Sequence, residues 1–410
     1  MTQSYDVIIL GAGASGLFTA INIAEGAPHK RILILEKGKE ALGKVRISGG
    51  GRCNLTNGEP NLREFVKNYP RGNRELLSAF SRFSNKDTMK WFETHQVALK
   101  EEADGRIFPV SNSSQTIIDC FLSLAKKYNI EILYKQNVHA FSFEKEEWKV
   151  QATEVFHSRN LVVATGSNPK VWQLLSQLGH TIVPPVPSLF TFATEDSFIE
   201  GLAGVSKEVN AKLLATDHSP LKIPLLEKQG LVGALLVTHW GFSGPVILRL
   251  SAFAARILAQ LDYKFSLQIN WLAEGEESLN AEETLAILQE EKQKHPRKEM
   301  QNHCPFSLSK KLWNKLLDRS GVLPHQLWAE LNKGQLHTLA QTLTASTFLI
   351  HDKAPFKEEF VTAGGVSLKE IDFKNFRSKL FPTLYIGGEA LDIDAVTGGY
   401  NFQNAWSGGY

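Results

Sequence analysis

The run Asp6-Val7-Ile8-Ile9-Leu10-Gly11-Ala12-Gly13-Ala14-Ser15-Gly16-Leu17-Phe18 restricts the fold more than any other stretch of the chain. An apolar strand, a glycine turn and an apolar helix follow one another, and a second apolar run, Ile32-Leu33-Ile34-Leu35, ends in Glu36. That order specifies a strand, a helix and a second strand parallel to the first. In the spacing Gly11-x-Gly13-x-x-Gly16, Gly11 makes the tight turn, Gly13 lets a pyrophosphate approach the backbone, and Gly16 lets the helix pack on the strand. The free N–H groups around Ala12, Ala14 and Ser15, together with the helix dipole, hold the anion. Glu36 stands 20 residues after Gly16, at a strand end where a carboxylate accepts from both ribose hydroxyls of an adenosine, with Lys37 beside it. A phosphate on that ribose would be repelled, so the expected dinucleotide is FAD or NAD.

A chain of 410 residues exceeds one compact core and predicts two or three domains. The balance of 45 basic and 43 acidic residues leaves a net charge of +2, which is no electrostatic footprint for nucleic acid or an anionic membrane. Cys53, Cys120 and Cys304 form no CxxC pair and no metal site, so no metal is expected, and their small, odd number argues against a dithiol redox relay. So few cysteines fit a reducing compartment. Residues 7–24 carry no charge, but Asp6 stands where a signal peptide needs a basic region. Residues 229–248 are also uncharged, yet Gly230, Gly233, Gly241, Gly244, Pro245 and His239 divide them into strand, turn and helix start. The protein is therefore expected to be soluble and cytoplasmic, with no membrane partner.

After Glu36 comes Gly43-Lys44-Val45-Arg46-Ile47-Ser48-Gly49-Gly50-Gly51-Arg52-Cys53-Asn54-Leu55-Thr56-Asn57. Three consecutive glycines make regular helix or strand costly. The segment is read as a loop lining the cofactor, with Lys44, Ser48, Gly49, Gly50, Gly51, Arg52, Cys53 and Asn54 as contacts. Residues 61–100 and 116–128 follow helical periods, and strands are expected at 131–134, 138–143 and 148–152, with Val138 near the adenosine. The strand at 160–166 ends in Ala164-Thr165-Gly166, small residues that let the chain turn beside a nucleotide. Pro184, Pro185 and Pro187 predict a rigid crossing into a β-rich insertion with strands at 207–214, 234–238 and 263–272. Thr238 to Pro245 reads as a turn into a helix, with Ser243 as cap and His239 either facing a substrate or satisfied within the turn. Residues 274–342 read as a small helical subdomain with a charged face.

The last fifty residues return to the style of the first. Thr362-Ala363-Gly364-Gly365-Val366 is a glycine turn, 384–394 is a strand ending in Gly387-Gly388-Glu389, and Thr397-Gly398-Gly399-Tyr400-Asn401-Phe402 opens a final helix. That helix has barely two turns before Tyr410, which leaves open whether further residues follow. A ligand that uses both glycine regions has a long polar far end, and FAD fits it better than NAD. On this reading Gly388, Glu389 and Asp394 meet the ribityl and pyrophosphate region, and Gly398, Gly399 and the amides of Tyr400, Asn401 and Phe402 meet the flavin's pyrimidine edge. The helix dipole there favours negative charge on the ring by roughly 0.3–1 kcal/mol at an exposed end. No second glycine fingerprint follows a strand, so NAD(P)H is expected as a transient donor without its own domain, or the substrate reduces the flavin itself.

These motifs resemble the BaiN/RdsA-type bacterial flavoprotein family. The resemblance rests on Ile47 to Asn57, Gly105-Arg106-x-Phe108-Pro109, Pro184-Pro185-x-Pro187-Ser188-Leu189, Thr238-His239-x-Gly241-x-Ser243-Gly244-Pro245 and the glycine blocks after Thr362, so it spans nearly the whole chain. It implies an α/β chain with a Rossmann-type FAD-binding domain of the two-dinucleotide-binding-domain flavoprotein type. The domain is split into 1–189 and 362–410 around a β-rich insertion (190–273, returning at 343–361) and a helical subdomain (274–342). It also implies an NAD(P)/FAD-dependent oxidoreductase, with activities in such families ranging from double-bond reduction in small molecules or an RNA uracil to amine oxidation. The chain departs from the family pattern after Gly166, where Ser167-Asn168-Pro169-Lys170 leads directly into a helix.

The function expected is hydride transfer through FAD from NAD(P)H to a conjugated or carbonyl small molecule. The alternatives are modification of an RNA uracil, approached by 292–311 and 67–82, amine oxidation with oxygen, and a flavin held without turnover. Cys53, Asn54 and Tyr400 are the candidate catalytic residues, and Tyr400, Arg52 and His239 the candidate substrate contacts.

Overall fold

The structure is a computed structural model that describes residues 4–223, 230–275, 277–353 and 361–410. They form two compact units, Met1–Val186 with Thr362–Tyr410, and Pro187–Val361.

The first unit is built on the sheet that the opening residues dictate. Ser4–Leu10 pairs in parallel with Ile32–Leu35 on one side and with Val155–Val163 on the other, in register Ile8 with Leu33 and Ile8 with Leu161. Glu131–Leu133 extends the parallel sheet beyond Ile32–Leu35, and Leu384–Ile386, from the far end of the chain, extends it beyond Val155–Val163. Strand order thus reverses at Ser4–Leu10, and a doubly wound sheet binds its ligands at such a switch point. A hairpin of Ala140–Glu144 and Glu147–Gln151 lies antiparallel to Val155–Val163. The helices Ala14–Gly26, Ser114–Lys127 and Tyr400–Gly409 bury Phe18, Ile21, Ile117, Phe121 and Trp406 in one core with Ile9 and Ile34 of the sheet.

Residues 43–57 differ from the loop expected. Gly43–Gly51 is helical at its start, then breaks where Ser48 is extended and Gly49 and Gly50 take left-handed φ of 57° and 66°. The glycines end a helical turn rather than prevent one. The proline crossing is a strand, Ile182–Ser188, paired with Val361–Val366 in a two-stranded sheet.

The second unit is a seven-stranded antiparallel sheet in the order Ser346–Ile350, Phe265–Asn270, Ser206–Leu214, Leu231–Val237, Gly241–Ser243, Phe192–Ala193, Asp352–Lys353. The helix Pro245–Gln260 begins with Pro245, but its cap is Gly244 rather than Ser243, whose hydroxyl instead accepts from Thr191 Oγ1 at 3.0 Å. The helices Ala281–Lys294, Lys310–Arg319 and Lys333–Ala345 share one core with the sheet: Leu288, Trp313 and Leu339 join Trp271, Leu267 and Phe348. The region read as a helical subdomain is thus packed into the second unit. The return strands expected at 343–361 are seen to Lys353; residues 354–360 lie outside the described residues. Among the described residues, no helix is long and apolar enough to cross a membrane.

Candidate cofactor site

The glycine turn closes because three backbones meet there. Gly11 has φ +102°, and a Cβ on it would lie 2.6 Å from the Ala164 carbonyl oxygen; a Cβ on Gly16 would lie 2.0 Å from the Gly11 oxygen. At Gly13 a Cβ would meet nothing within 4 Å. Strand and helix are therefore clamped at Gly11 and Gly16, while the first turn of the helix Ala14–Gly26 faces open space at Gly13.

Around that opening the three expected segments converge. Gly387 and Gly388 come against Ser15, and a Cβ on Gly166 would stand 3.8 Å from Glu389 Oε2. Lys44 Nζ donates to the same Glu389 oxygen at 2.6 Å. The hydroxyls of Ser15 and Thr165 are buried here without a hydrogen-bond partner. Buried hydroxyls are normally satisfied, so unpaired ones beside a helix N-terminus fit a polyphosphate that would accept from them. Glu36 already works within the protein: Oε2 accepts from Ala12 N at 2.8 Å and Oε1 from Gly38 N at 2.6 Å. A carboxylate has about four lone-pair sites, so two ribose hydroxyls remain within its capacity. Lys37 is exposed beside it, and the backbone of Lys135 and Gln136, leading to the buried Val138, bonds to Gly38 and Glu36.

The far end is made by the helix Tyr400–Gly409. Its cap, Gly399, has φ +92°, and a Cβ there would lie 2.5 Å from the Thr56 carbonyl, so only glycine lets the segment after the triple glycine pack on it. Asn54, with its amide oriented to satisfy both sides, accepts from Gly399 N at 3.0 Å and donates to the Thr56 and Ile107 carbonyls. Thr56 Oγ1 donates to Gln403 Oε1 at 2.7 Å, and Trp406 Nε1 to the Leu55 oxygen at 2.9 Å. Asn401 folds back to donate to and accept from the Ala395 backbone, both at 3.0 Å. The N–H groups of Tyr400, Asn401 and Phe402 belong to the first turn, which has no intrahelical acceptors.

Several candidates take roles other than those expected. Cys53 is fully buried in the core, and burial pushes its thiol up to about 12 despite a hydrogen bond from Ser48. A thiol so held stays protonated at neutral pH and is no activated nucleophile, which fits a cysteine packed in the core. Asn54 is consumed by the three backbone bonds above. Tyr400 is 8 % exposed, its ring packed edge-on to Phe65 and Tyr69. Arg52 lies over the Phe108 ring at 4.0 Å and pairs with Glu102 at 2.7 Å. His239 is an exposed residue of a tight turn in the second unit, between Thr238 and Gly241. Asp394 is fully buried and gripped through both oxygens by Arg71, so it anchors the turn before the last helix. Tyr69, two residues earlier, donates to the Tyr400 carbonyl at 2.6 Å. Neither Tyr69 nor Arg71 was singled out by the sequence, because their partners lie more than 320 residues away.

The site as built fits FAD. Ala12, Gly13, Ala14 and Ser15 would hold its pyrophosphate, Glu36 its ribose, Lys44 and Glu389 the polar middle, and the first turn at Tyr400 to Phe402 its ring. The model of the HI0933-like protein Rossmann domain matches residues 5–410. Ribosomal RNA dihydrouridine synthase of Haemophilus influenzae is 29 % identical over 425 residues, covering 100 % of this chain and 98 % of that protein. The 3-dehydro-bile acid delta(4,6)-reductase of Clostridium scindens is 27 % identical over 415 residues, covering 98 % of this chain and 96 % of that one. The solved 3-ketosteroid delta1-dehydrogenase of Sterolibacterium denitrificans shares the fold at a TM-score of 0.50 and 11 % identity, covering 100 % of this chain and 98 % of that one. With its motifs and fold in agreement over almost its full length, the chain belongs to the HI0933-like Rossmann family, flavin-dependent oxidoreductases of the BaiN/RdsA type.

Proposed function

We propose that the chain reduces a carbon–carbon double bond conjugated with a carbonyl, with NAD(P)H as donor and a small molecule as acceptor. Bound FAD supplies the hydride relay between the two. The observation that carries the reading is the pairing of two helix N-termini, one beside the unpaired Ser15 and Thr165 hydroxyls and one capped by Gly399, in the unit that the two ends of the chain build together. The first favours binding of a polyphosphate and the second favours negative charge at the ring end. The chain's own residues then bind, orient and hold: Glu36 and Lys44 fix the cofactor's length, and Arg71 and Tyr69 fix the turn that presents the second helix. The relatives support the substrate class. One is named for reduction of a bile acid at delta(4,6), the other for making dihydrouridine, and saturating a uracil ring acts on the same kind of conjugated bond.

The RNA version is the second reading, favoured by the name of the Haemophilus influenzae relative. Part of its basic approach is already engaged within the protein: Lys294 pairs with Glu290, Lys67 pairs with Glu64, and the Lys292 ammonium donates to the Leu331 carbonyl. Purified protein should be yellow, and anaerobic titration with NADH or NADPH should bleach it. Colour should return on adding a steroid-type enone for the first reading, or a uridine-containing ribosomal RNA fragment for the second. Protein that neither nucleotide bleaches, but that makes hydrogen peroxide in air with an amine, would replace both with the oxidase reading.

A further inference from the structure

Away from the cofactor site, the second unit gathers two imidazoles on one carboxylate. Glu291 lies in the last turn of the helix Ala281–Lys294, His295 caps that helix, and His303 returns after a short helical turn, Met300–Asn302. His303 Nε2 stands 2.6 Å from Glu291 Oε2, and His295 Nε2 stands 3.7 Å from the same oxygen. The two rings are 4.4 Å apart at 69°. All three donor atoms lie within 4.8 Å of one another. A hydrogen bond accounts for His303 but not for His295, which aims its ring nitrogen at an oxygen beyond hydrogen-bond reach.

A tetrahedral site with metal–ligand bonds of about 2.0–2.2 Å places neighbouring donor atoms roughly 3.3 Å apart. The present separations fall on either side of that value, so shifts of less than about 1 Å would seat an ion. The side chains are partly exposed, at 17 % for Glu291, 35 % for His295 and 20 % for His303, which leaves access for water as a fourth ligand. Two histidines and a glutamate are a ligand set that zinc accepts and magnesium does not. The opposing charges are Lys298, whose ammonium is 3.3 Å from His303 Nδ1, and Lys294, already paired with Glu290. Both are exposed and can swing away.

We propose that Glu291, His295 and His303 form a binding site for a zinc-class divalent transition-metal ion that clips the end of the helix Ala281–Lys294 to the segment around His303. No residue of the cofactor site takes part, so the site stands or falls independently of the proposed reaction. The test is calorimetric titration of the full, flavin-loaded chain, stripped with chelator, using Zn2+ and Mg2+ in parallel. One zinc per chain is expected, with no magnesium binding, and a melting temperature that rises with zinc concentration. His295→Gln removes a ring whose nitrogen stands beyond hydrogen-bond reach of Glu291 and keeps the backbone bonds; it should leave the metal-free melting temperature unchanged and weaken zinc at least ten-fold. Glu291→Gln should do the same to affinity. Absence of zinc uptake by the wild-type chain, or uptake of equal strength in both variants, would overturn the site.

Discussion

At the scale of single residues, the glycine turn separates folding from binding. Gly16 has no room for a methyl group, whereas Gly13 opens onto space. Gly16→Ala should therefore destabilise the apoprotein by about 1–3 kcal/mol, the usual cost of overpacking. Gly13→Val should leave its urea midpoint almost unchanged and reduce FAD affinity at least ten-fold. Equal flavin content in Gly13→Val and wild type, by absorbance of the purified proteins, would break the assignment of that opening to the pyrophosphate. Cys53 gives a second residue-scale expectation, this time in pH. Its thiol is raised from 9.0 to about 12 by burial, so the folded state keeps a proton that the unfolded chain has lost. The contribution of Cys53 to stability is fully present below about pH 9 and is lost as pH rises from there to about 12, by at most about 1.4 kcal/mol per pH unit. Cys120 and Cys304, raised to about 12 and about 11, add to the fall. Urea midpoints at pH 8 and pH 10.5 under reducing conditions should show a smaller loss in Cys53→Ala than in wild type, while its flavin bleaching at pH 7.5 stays within a few-fold.

At the scale of elements, the last helix depends on partners contributed by the first hundred residues. Arg71 holds Asp394 and Tyr69 holds the Tyr400 carbonyl, so the segment after Phe65 sets the position of the helix start. Asp394→Asn leaves a guanidinium with only 10 % side-chain exposure facing a neutral amide; breaking a buried pair in this way costs about 3–5 kcal/mol. Tyr69→Phe loses one hydrogen bond and should cost about 1 kcal/mol. If the helix start meets the flavin's ring, both variants should also shift the flavin's reduction potential downward, Asp394→Asn more than Tyr69→Phe. Redox titration of the two holoproteins checks the order. Asp394 was legible as part of the C-terminal acidic block but not as an anchor, because an acid after Gly-Gly-Glu-Ala-Leu-Asp-Ile says nothing of an arginine 323 residues away. The short helix at Gly43–Gly51 escaped for a related reason: glycine composition reports backbone freedom, and the left-handed turn at Gly49 and Gly50 uses that freedom only after a turn of helix has formed.

At the scale of the whole molecule, local patterns carried the parallel strands, the glycine turns and the return of the last residues to the first unit, since each is written in contiguous apolar runs. Sheet order and core sharing were less readable. The helices of residues 281–345 look self-contained by their charged faces, yet Trp313 and Leu339 fill the same interior as Trp271 and Phe348. Amphipathic periodicity names a buried face without naming what buries it. The two units therefore differ in how they must be assembled. The second is one continuous stretch, Pro187–Val361, with its own antiparallel sheet and its own core, including fully buried Trp271, Trp313 and Trp328. The first needs Leu384–Ile386 beside Val155–Val163 and Trp406 against Phe18, both supplied after the long insertion. Residues 187–361 expressed alone should consequently fold, with a single cooperative urea transition, a near-ultraviolet signal from packed tryptophans, and no flavin. Residues 1–186 expressed alone lack three strands of the sheet, Ile371–Asp372, Arg377–Ser378 and Leu384–Ile386, and the helix that covers Phe18 and Phe121, and should show neither a cooperative transition nor FAD uptake. A stable 1–186 fragment that turns yellow with added FAD would show that the N-terminal half makes the site unaided. The C-terminal glycine block would then have to be explained by something other than the cofactor.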